Sequence, residues 1–203
     1  ARRTQQHRTA IDAAGAAGVR HIAYTSMLSP TEANPAAVAP SHRETEAALR
    51  ASGVSWTLLR NSLYADYQAP EAQQAISTGR FVHNRGSGRI AYVARADCAA
   101  AAAAVLTSTG HENVAYDITG PRTLDAAQIA QVYAALGQRS VQAVAVDDAT
   151  FIAGMLAGRE SDGHAQYGAA LVASFGRAIR EGFMAACSTA VADLTGRPAQ
   201  LLE

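Results

Sequence analysis

Apolar positions along this chain switch between a helical and a strand-like spacing, and the switching outlines an α/β protein. From Gln5 to Ala17 the apolar and small residues Ala10, Ile11, Ala14 and Ala17 recur at helical spacing, with Gly18 placed to end the helix. Val19 to Thr25 is a short apolar run that predicts a strand. The loop after it contains Pro30, Pro35 and Pro40, which keep it out of helical conformation. Ser41 followed by Glu44 has the spacing of a capping box and predicts a helix to about Ala51, stopped at Ser52-Gly53. Val54 to Arg60 is a second strand, too apolar to have one solvated face. It suits a parallel sheet covered on both sides, with Trp56 in the core.

Further along, Pro70 to Ser77 predicts a helix ending at Gly79, and a short strand starts at Arg80-Phe81. Arg85 to Gly88 makes a turn before a strand over Ile90 to Val93. Asp97 reads as the cap of a long alanine helix reaching about Thr107. Val114 to Ile118 is another strand, Thr123 or Asp125 caps a helix to Leu136, and Val141 to Val146 is the last strand. From Asp147 onward the pattern predicts short helices with glycine joints. Alternating strands and helices of this kind predict an open parallel sheet whose chemistry lies at the strand ends. A boundary is expected near Gly120: residues 1–120 form the sheet domain, and 121–203 a smaller region over the strand ends.

Composition narrows the classes. A chain of 203 residues, 49% hydrophobic and 17% charged, can bury a sizeable core in one domain with a small appendage. Seventeen basic and seventeen acidic residues give no net field, so neither nucleic acid nor a membrane surface is expected as a partner. The longest apolar run, Cys98 to Leu106, is mostly alanine and far short of the roughly 20 residues of a membrane span. Cys98 and Cys187 lack metal-ligand spacing and are expected to be buried small hydrophobes of a cytoplasmic protein, with no metal site. The chain starts at Ala1, and ARRTQQHR has no apolar stretch behind its arginines. This start is read as a position partway through a larger fold rather than a signal peptide. Unpaired edges of such a sheet would favour self-association, so a homo-oligomer is expected.

Three constellations carry candidate chemistry. Tyr24-Thr25-Ser26 puts hydroxyls at the end of the first strand, where backbone groups are free to meet a ligand; the alternative is that they merely end the strand. His42 and Glu46 lie on one helix face, where an imidazole could hold a ribose hydroxyl or donate a proton to a reduced oxygen; the alternative is a solvated face. Arg60-Asn61-Ser62-Leu63-Tyr64 follows the second strand, so Asn61 and Tyr64 reach the same edge, as ligand contacts or as turn former and lid. The glycines of Arg85 to Gly88 give a weak phosphate-loop signal, because no apolar strand leads through them into a helix. His7, His21, His83, His111 and His164 share no spacing and are read as structural or exposed.

Taken in order, several segments resemble the NmrA-like branch of the atypical short-chain dehydrogenases, and within it the NAD(P)H:quinone oxidoreductase type 2 group. They are Gln6-His7 with IDAAGAAGVRHIAYTS, His42-x-x-x-Glu46, SGVSWTLLRNSLY, RxDxAxAAAAVL from Arg95, YDITGPRTLDAAQIA, and LTGRP at Leu194 to Pro198. The resemblance implies a Rossmann-like domain binding NADP or NAD and a C-terminal part covering the nicotinamide end. It implies that Tyr24, Thr25, Ser26, His42 and Asn61 contact the cofactor, and that His42, Asn61 and Tyr64 serve catalysis, with a quinone or similar small electrophilic carbonyl as substrate. The family's Gly-rich phosphate turn has no counterpart in these residues, and Ser62-Leu63 stands where the quinone-reductase group tends to have Gly-Trp. Two functions are compatible with the resemblance: an NAD(P)H-dependent reductase, and a regulator that senses NAD(P) without turnover.

Overall fold

In the computed structural model, which describes residues 2–158 and 162–202, strand β2 (Ser55–Asn61) is the centre of a parallel three-stranded sheet. Its neighbours are β1 (His21–Met27) and β4 (Val114–Ile118). Met27 lies opposite Asn61 and Asn61 opposite Ile118, so the three carboxyl ends finish at one edge. Side chains alternate across a strand, and β2 is apolar on both faces. Leu58 packs with Ile11 of helix α1 (Arg2–Ala16) and Leu49 of α2 (Ala39–Ala51). Leu59 packs on the other face with Val105 of α4 (Arg95–Thr107) and Val191 of α8 (Ala190–Thr195).

A second layer covers the strand ends. A single 3-10 turn (Ala65–Gln68) leads into α3 (Ala69–Thr78), and β3 (Arg80–His83) pairs in parallel with β5 (Gln142–Ala145). Helices α5 (Ala126–Gly137), α6 (Asp148–Leu156) and α7 (Gly163–Arg180) complete it. Its core of Phe81, Ile129, Tyr133 and Ile179 is continuous with Met27 and Leu28 at the tip of β1. Segment 90–93, expected as a strand, pairs only through isolated bridges, Ile90 with Leu124 and Tyr64 with Val93. It threads between the layers and splits its hydrogen bonds among Leu124, Met184 and Leu63. Gly120 is needed beside it: a Cβ there would lie 1.9 Å from the Tyr92 carbonyl oxygen.

Several expectations require correction. Asp97 is not a cap: Ala94 precedes the helix, and Asp97 is fully buried in the first turn. Its carboxylate accepts the Gln200 backbone N–H at 2.7 Å and pairs with Arg197 at 2.7 Å, tying the C-terminal segment to α4. Ser41 does not cap α2, which starts earlier, at Ala39, with Pro40 in its first turn; the Ser41 hydroxyl donates to the Val38 carbonyl instead. Proline suits that position because the first-turn N–H has no helical partner anyway. Trp56 is half-buried, its indole covered on one side by the Arg50 guanidinium 5.1 Å from the ring centroid. Cys187 is exposed in a loop, whereas Cys98 is buried. After Asp147 the chain forms an 18-residue helix, α7, because Ala169, Ala173, Gly176 and Ile179 give it one continuous buried face. As their residue types predict, Gly18 ends α1 in the left-handed region (φ 76°), and Asp125 caps α5 in a capping box with Gln128.

One ion cluster joins α2 to the sheet. Glu46, 2% exposed, accepts Nε (3.0 Å) and Nη2 (2.7 Å) of Arg60 from β2, the Ser26 hydroxyl (2.7 Å) from β1, and Arg50 (3.1 Å) from its own helix. Burial alone would raise the Glu46 carboxyl, but the bonds from Arg60, Ser26 and Arg50 outweigh it and hold it below its ordinary value. A carboxyl depressed in the folded state stabilises at neutral pH, and that contribution declines as pH falls below about 4.3 towards its folded value. Replacing Glu46 with Gln is expected to cost about 3 kcal/mol in urea unfolding at pH 7, with the difference from the parent chain shrinking as the pH approaches about 3. Asp97→Ala is expected to cost roughly 2 kcal/mol and to speed amide exchange selectively over 197–200, read by denaturation and hydrogen-exchange mass spectrometry.

Candidate functional site

The second layer does not close flush on the strand ends. Between them lies a cleft of about 970 Å³, floored by Thr25, Ser26 and Met27 of β1 and by Asn61 to Tyr64 after β2. His42 of α2 forms one side, and Phe151, Met155 and Phe175 of α6 and α7 form an apolar wall opposite.

His42 is held from behind. The Tyr24 hydroxyl lies 2.8 Å from His42 Nδ1, and the two rings approach at 5.8 Å between centroids. On the far side the Tyr24 ring meets His7 edge-on. Burial raises the Tyr24 phenol above its ordinary value, so it carries its proton. We assign it as donor to Nδ1, which puts the imidazole hydrogen on Nε2. Burial, with the nearby charges of Arg3 and His7, lowers His42 to about 4. The ring is therefore neutral at physiological pH, with one N–H and no bond from Nε2 to a described residue.

Asn61 and Tyr64 form the second pair: Asn61 Nδ2 donates to the Tyr64 hydroxyl at 3.1 Å, while Asn61 Oδ1 is buried without a partner. The structure thus brings His42, Asn61, Tyr64, Thr25 and Ser26 to one cleft, with Thr25 exposed in it and Ser26 buried against Glu46. Tyr24 is not among the residues that line it and acts on the site through His42.

Residues that sequence patterns did not single out also line this space. Arg85, in the turn after β3, is buried with its guanidinium 5.0 Å from the Phe81 ring centroid and 5.8 Å from that of Tyr92. Its Nη2 donates to Glu71 at 2.8 and 3.1 Å, and the Tyr133 hydroxyl donates to Glu71 at 2.8 Å. Burial and the Arg85 charge lower the neighbouring His83 to about 4, and His83 Nδ1 accepts the Arg85 backbone N–H. Among the described residues, Asn61 Oδ1, Ser62 Oγ, Arg85 Nη1 and Tyr92 OH are the buried side-chain atoms without a hydrogen-bond partner, and all four residues line the cleft. Sequence patterning singles out Asn61 of this set but gives no role to Ser62, Arg85 or Tyr92, because segments distant in the chain bring them to one cleft. Arg85 lies in the turn whose glycines give the weak phosphate-loop signal.

Comparison with known proteins locates this arrangement in a family. A family described as NAD(P)H-binding matches residues 1–109. Quinone oxidoreductase 2 of Escherichia coli is 44% identical over 128 residues, 63% of this chain and 44% of that protein. The NAD(P)H azoreductase of Xenophilus azovorans is 30% identical over 142 residues, 70% of this chain and 50% of that protein. The matches thus span half or less of these relatives' length. The crystal structure of E. coli quinone oxidoreductase 2 with NADPH has a TM-score of 0.90 at 34% identity, covering 97% of this chain and 68% of that one. NmrA, a negative transcriptional regulator solved with NADP, shares the fold at a TM-score of 0.71 and 15% identity, covering 98% and 67%. With more than half its residues inside the family match, and a Rossmann-like architecture shared with these structures, the chain belongs to the NAD(P)H-binding family.

Proposed function

We propose that this chain carries the nicotinamide and acceptor end of an NAD(P)H-dependent reductase acting on a quinone or similar small electrophilic carbonyl. The observation that carries this reading is the convergence of His42, Asn61 and Tyr64 on one cleft at the carboxyl ends of β1 and β2. The quinone reductase and azoreductase named among its relatives support it.

The residues fit a nicotinamide. The buried, unpartnered Asn61 Oδ1 is an acceptor suited to a carboxamide N–H, and the exposed Thr25 hydroxyl offers a further contact at the strand tip. Bound NAD(P)H would supply the hydride. His42 then acts as a neutral hydrogen-bond donor: Nε2–H stabilises the acceptor oxygen as negative charge develops on it, while Tyr24 holds the ring and its tautomer. Tyr64, anchored by Asn61, supplies a flat side wall for a planar acceptor. The apolar residues of α6 and α7 exclude water from that side.

The test is NADPH titration followed by nucleotide fluorescence, then oxidation of NADPH on adding menadione. Binding with oxidation is the expected result. Binding without oxidation would overturn the reductase reading in favour of a nucleotide sensor. His42→Ala is expected to lower turnover by about 10- to 100-fold with a stability change of about 1 kcal/mol or less. Unchanged turnover would return His42 to a purely structural role. Because the neutral ring is the working form, kcat/KM is expected to stay level from about pH 8 to about pH 5. It should fall with an apparent pKa of about 4, as protonation removes the Nδ1 lone pair that Tyr24 holds.

A further inference from the structure

The cleft holds more polar chemistry than a nicotinamide and one carbonyl require. Besides Asn61, three residues that line it bury a donor atom with no hydrogen bond of normal geometry to the described protein, Arg85 Nη1, Tyr92 OH and Ser62 Oγ, and the Arg85 guanidinium is the polar group beside the Tyr92 hydroxyl. The residues are 9%, 4% and 3% exposed, so each is shielded from bulk water. A buried polar atom without a partner costs about 1–3 kcal/mol, and native chains retain such atoms mainly where function uses them.

The surroundings orient this set. The Arg85 guanidinium is held between the Phe81 and Tyr92 rings, with one arm of its fork committed to Glu71 and Gln68. Glu71 balances the charge, and the Tyr133 hydroxyl takes part of its accepting capacity. Nη1, the second arm of the fork, is buried without a hydrogen-bond partner among the described residues. The Tyr92 phenol is raised by burial and keeps its proton, so it is a donor throughout the physiological range. Donors on three residues of one cleft, with Phe81, Phe151 and Phe175 also lining it, match an aromatic ring that carries an electron-rich oxygen.

We propose that Arg85, Tyr92 and Ser62 form a substrate subsite that selects acceptors bearing an anionic oxygen, an enolate, phenolate or carboxylate, on a planar aromatic body. This assignment rests on the reductase reading for the identity of the acceptor, but the subsite is defined by its own donors.

The test uses two naphthoquinones of similar size: lawsone, whose ring hydroxyl is ionised at neutral pH, and menadione, which carries a methyl group there. Their affinities for the chain are measured by calorimetry without nicotinamide nucleotide. Lawsone is expected to bind roughly tenfold more tightly than menadione. Tyr92→Phe and Ser62→Ala remove hydroxyls with no hydrogen bond of normal geometry to the described protein, so the thermal midpoint should stay level or rise. Each should nevertheless cut the lawsone preference by about threefold or more. Arg85→Lys keeps the charge opposite Glu71 but loses the fork, and should cut the preference at least as far. Equal affinity for the two probes, absence of saturable binding, or a preference untouched in all three variants would overturn the proposal. A chain that prefers lawsone but never oxidises NADPH loses the reductase reading and keeps the subsite; one that oxidises NADPH with no preference does the reverse.

Discussion

A buried carboxylate with four donors around it is the constraint on which this structure depends. Glu46 points from α2 into the seam between β1 and β2, where it binds Arg60, Ser26 and Arg50. An unpaired charge there would be far too costly, so α2 can dock only with Glu46 facing Arg60. That single rotation of the helix also determines the height and direction of His42, one turn earlier on the same face. His42 then meets Tyr24 of β1, whose hydroxyl fixes the ring. The position of the proposed donor is thus a consequence of an ion cluster outside the cleft.

The cleft itself is an interface between two packing systems. The three-stranded sheet ends at Met27, Asn61 and Ile118, paired in register, while the second layer packs its own core around Phe81, Tyr133 and Ile179. Met27 and Leu28 carry the tip of β1 into the core of the second layer, and the cleft beside them is lined by residues of both layers. Glycines allow the approach where it is tightest. Gly120 lets its segment lie against the Tyr92 carbonyl, and Gly176 lets α7 pack on Asn84, whose side-chain oxygen would be 1.7 Å from an added Cβ. Those contacts hold the two loops and α7 at the distance that leaves the space open.

Much of the secondary structure was legible because it rests on local periodicity. The strand around Leu58 reads as doubly buried from its unbroken apolar run, and Gly18 and Asp125 announce a helix end and a helix start by backbone freedom and side-chain capping. That His42, Asn61 and Tyr64 meet at one cleft was legible because parallel strands deliver their outgoing segments to one edge. Asp97 was misread for an instructive reason. An acidic residue at the head of an alanine helix looks like a cap, yet its partners, Arg197 and Gln200, are a hundred residues away and leave no mark on the local pattern. Trp56 looked like core because it sits in an apolar strand, but its position near the start of β2 leaves one face to Arg50.

The sequence by itself determined the alternation of strands and helices, the parallel sheet apolar on both faces, and the edge at which His42, Asn61 and Tyr64 gather, because each depends on residues within a turn or a strand of one another. Only the tertiary structure decided that His42 is neutral and aimed by Tyr24, that Tyr24 stands behind the cleft rather than in it, and that Arg85, Tyr92 and Ser62 share one pocket. Those outcomes depend on burial and on partners distant in the chain. Neither the desolvation of a group nor the absence of a partner for it can be read until the surfaces that surround it have packed.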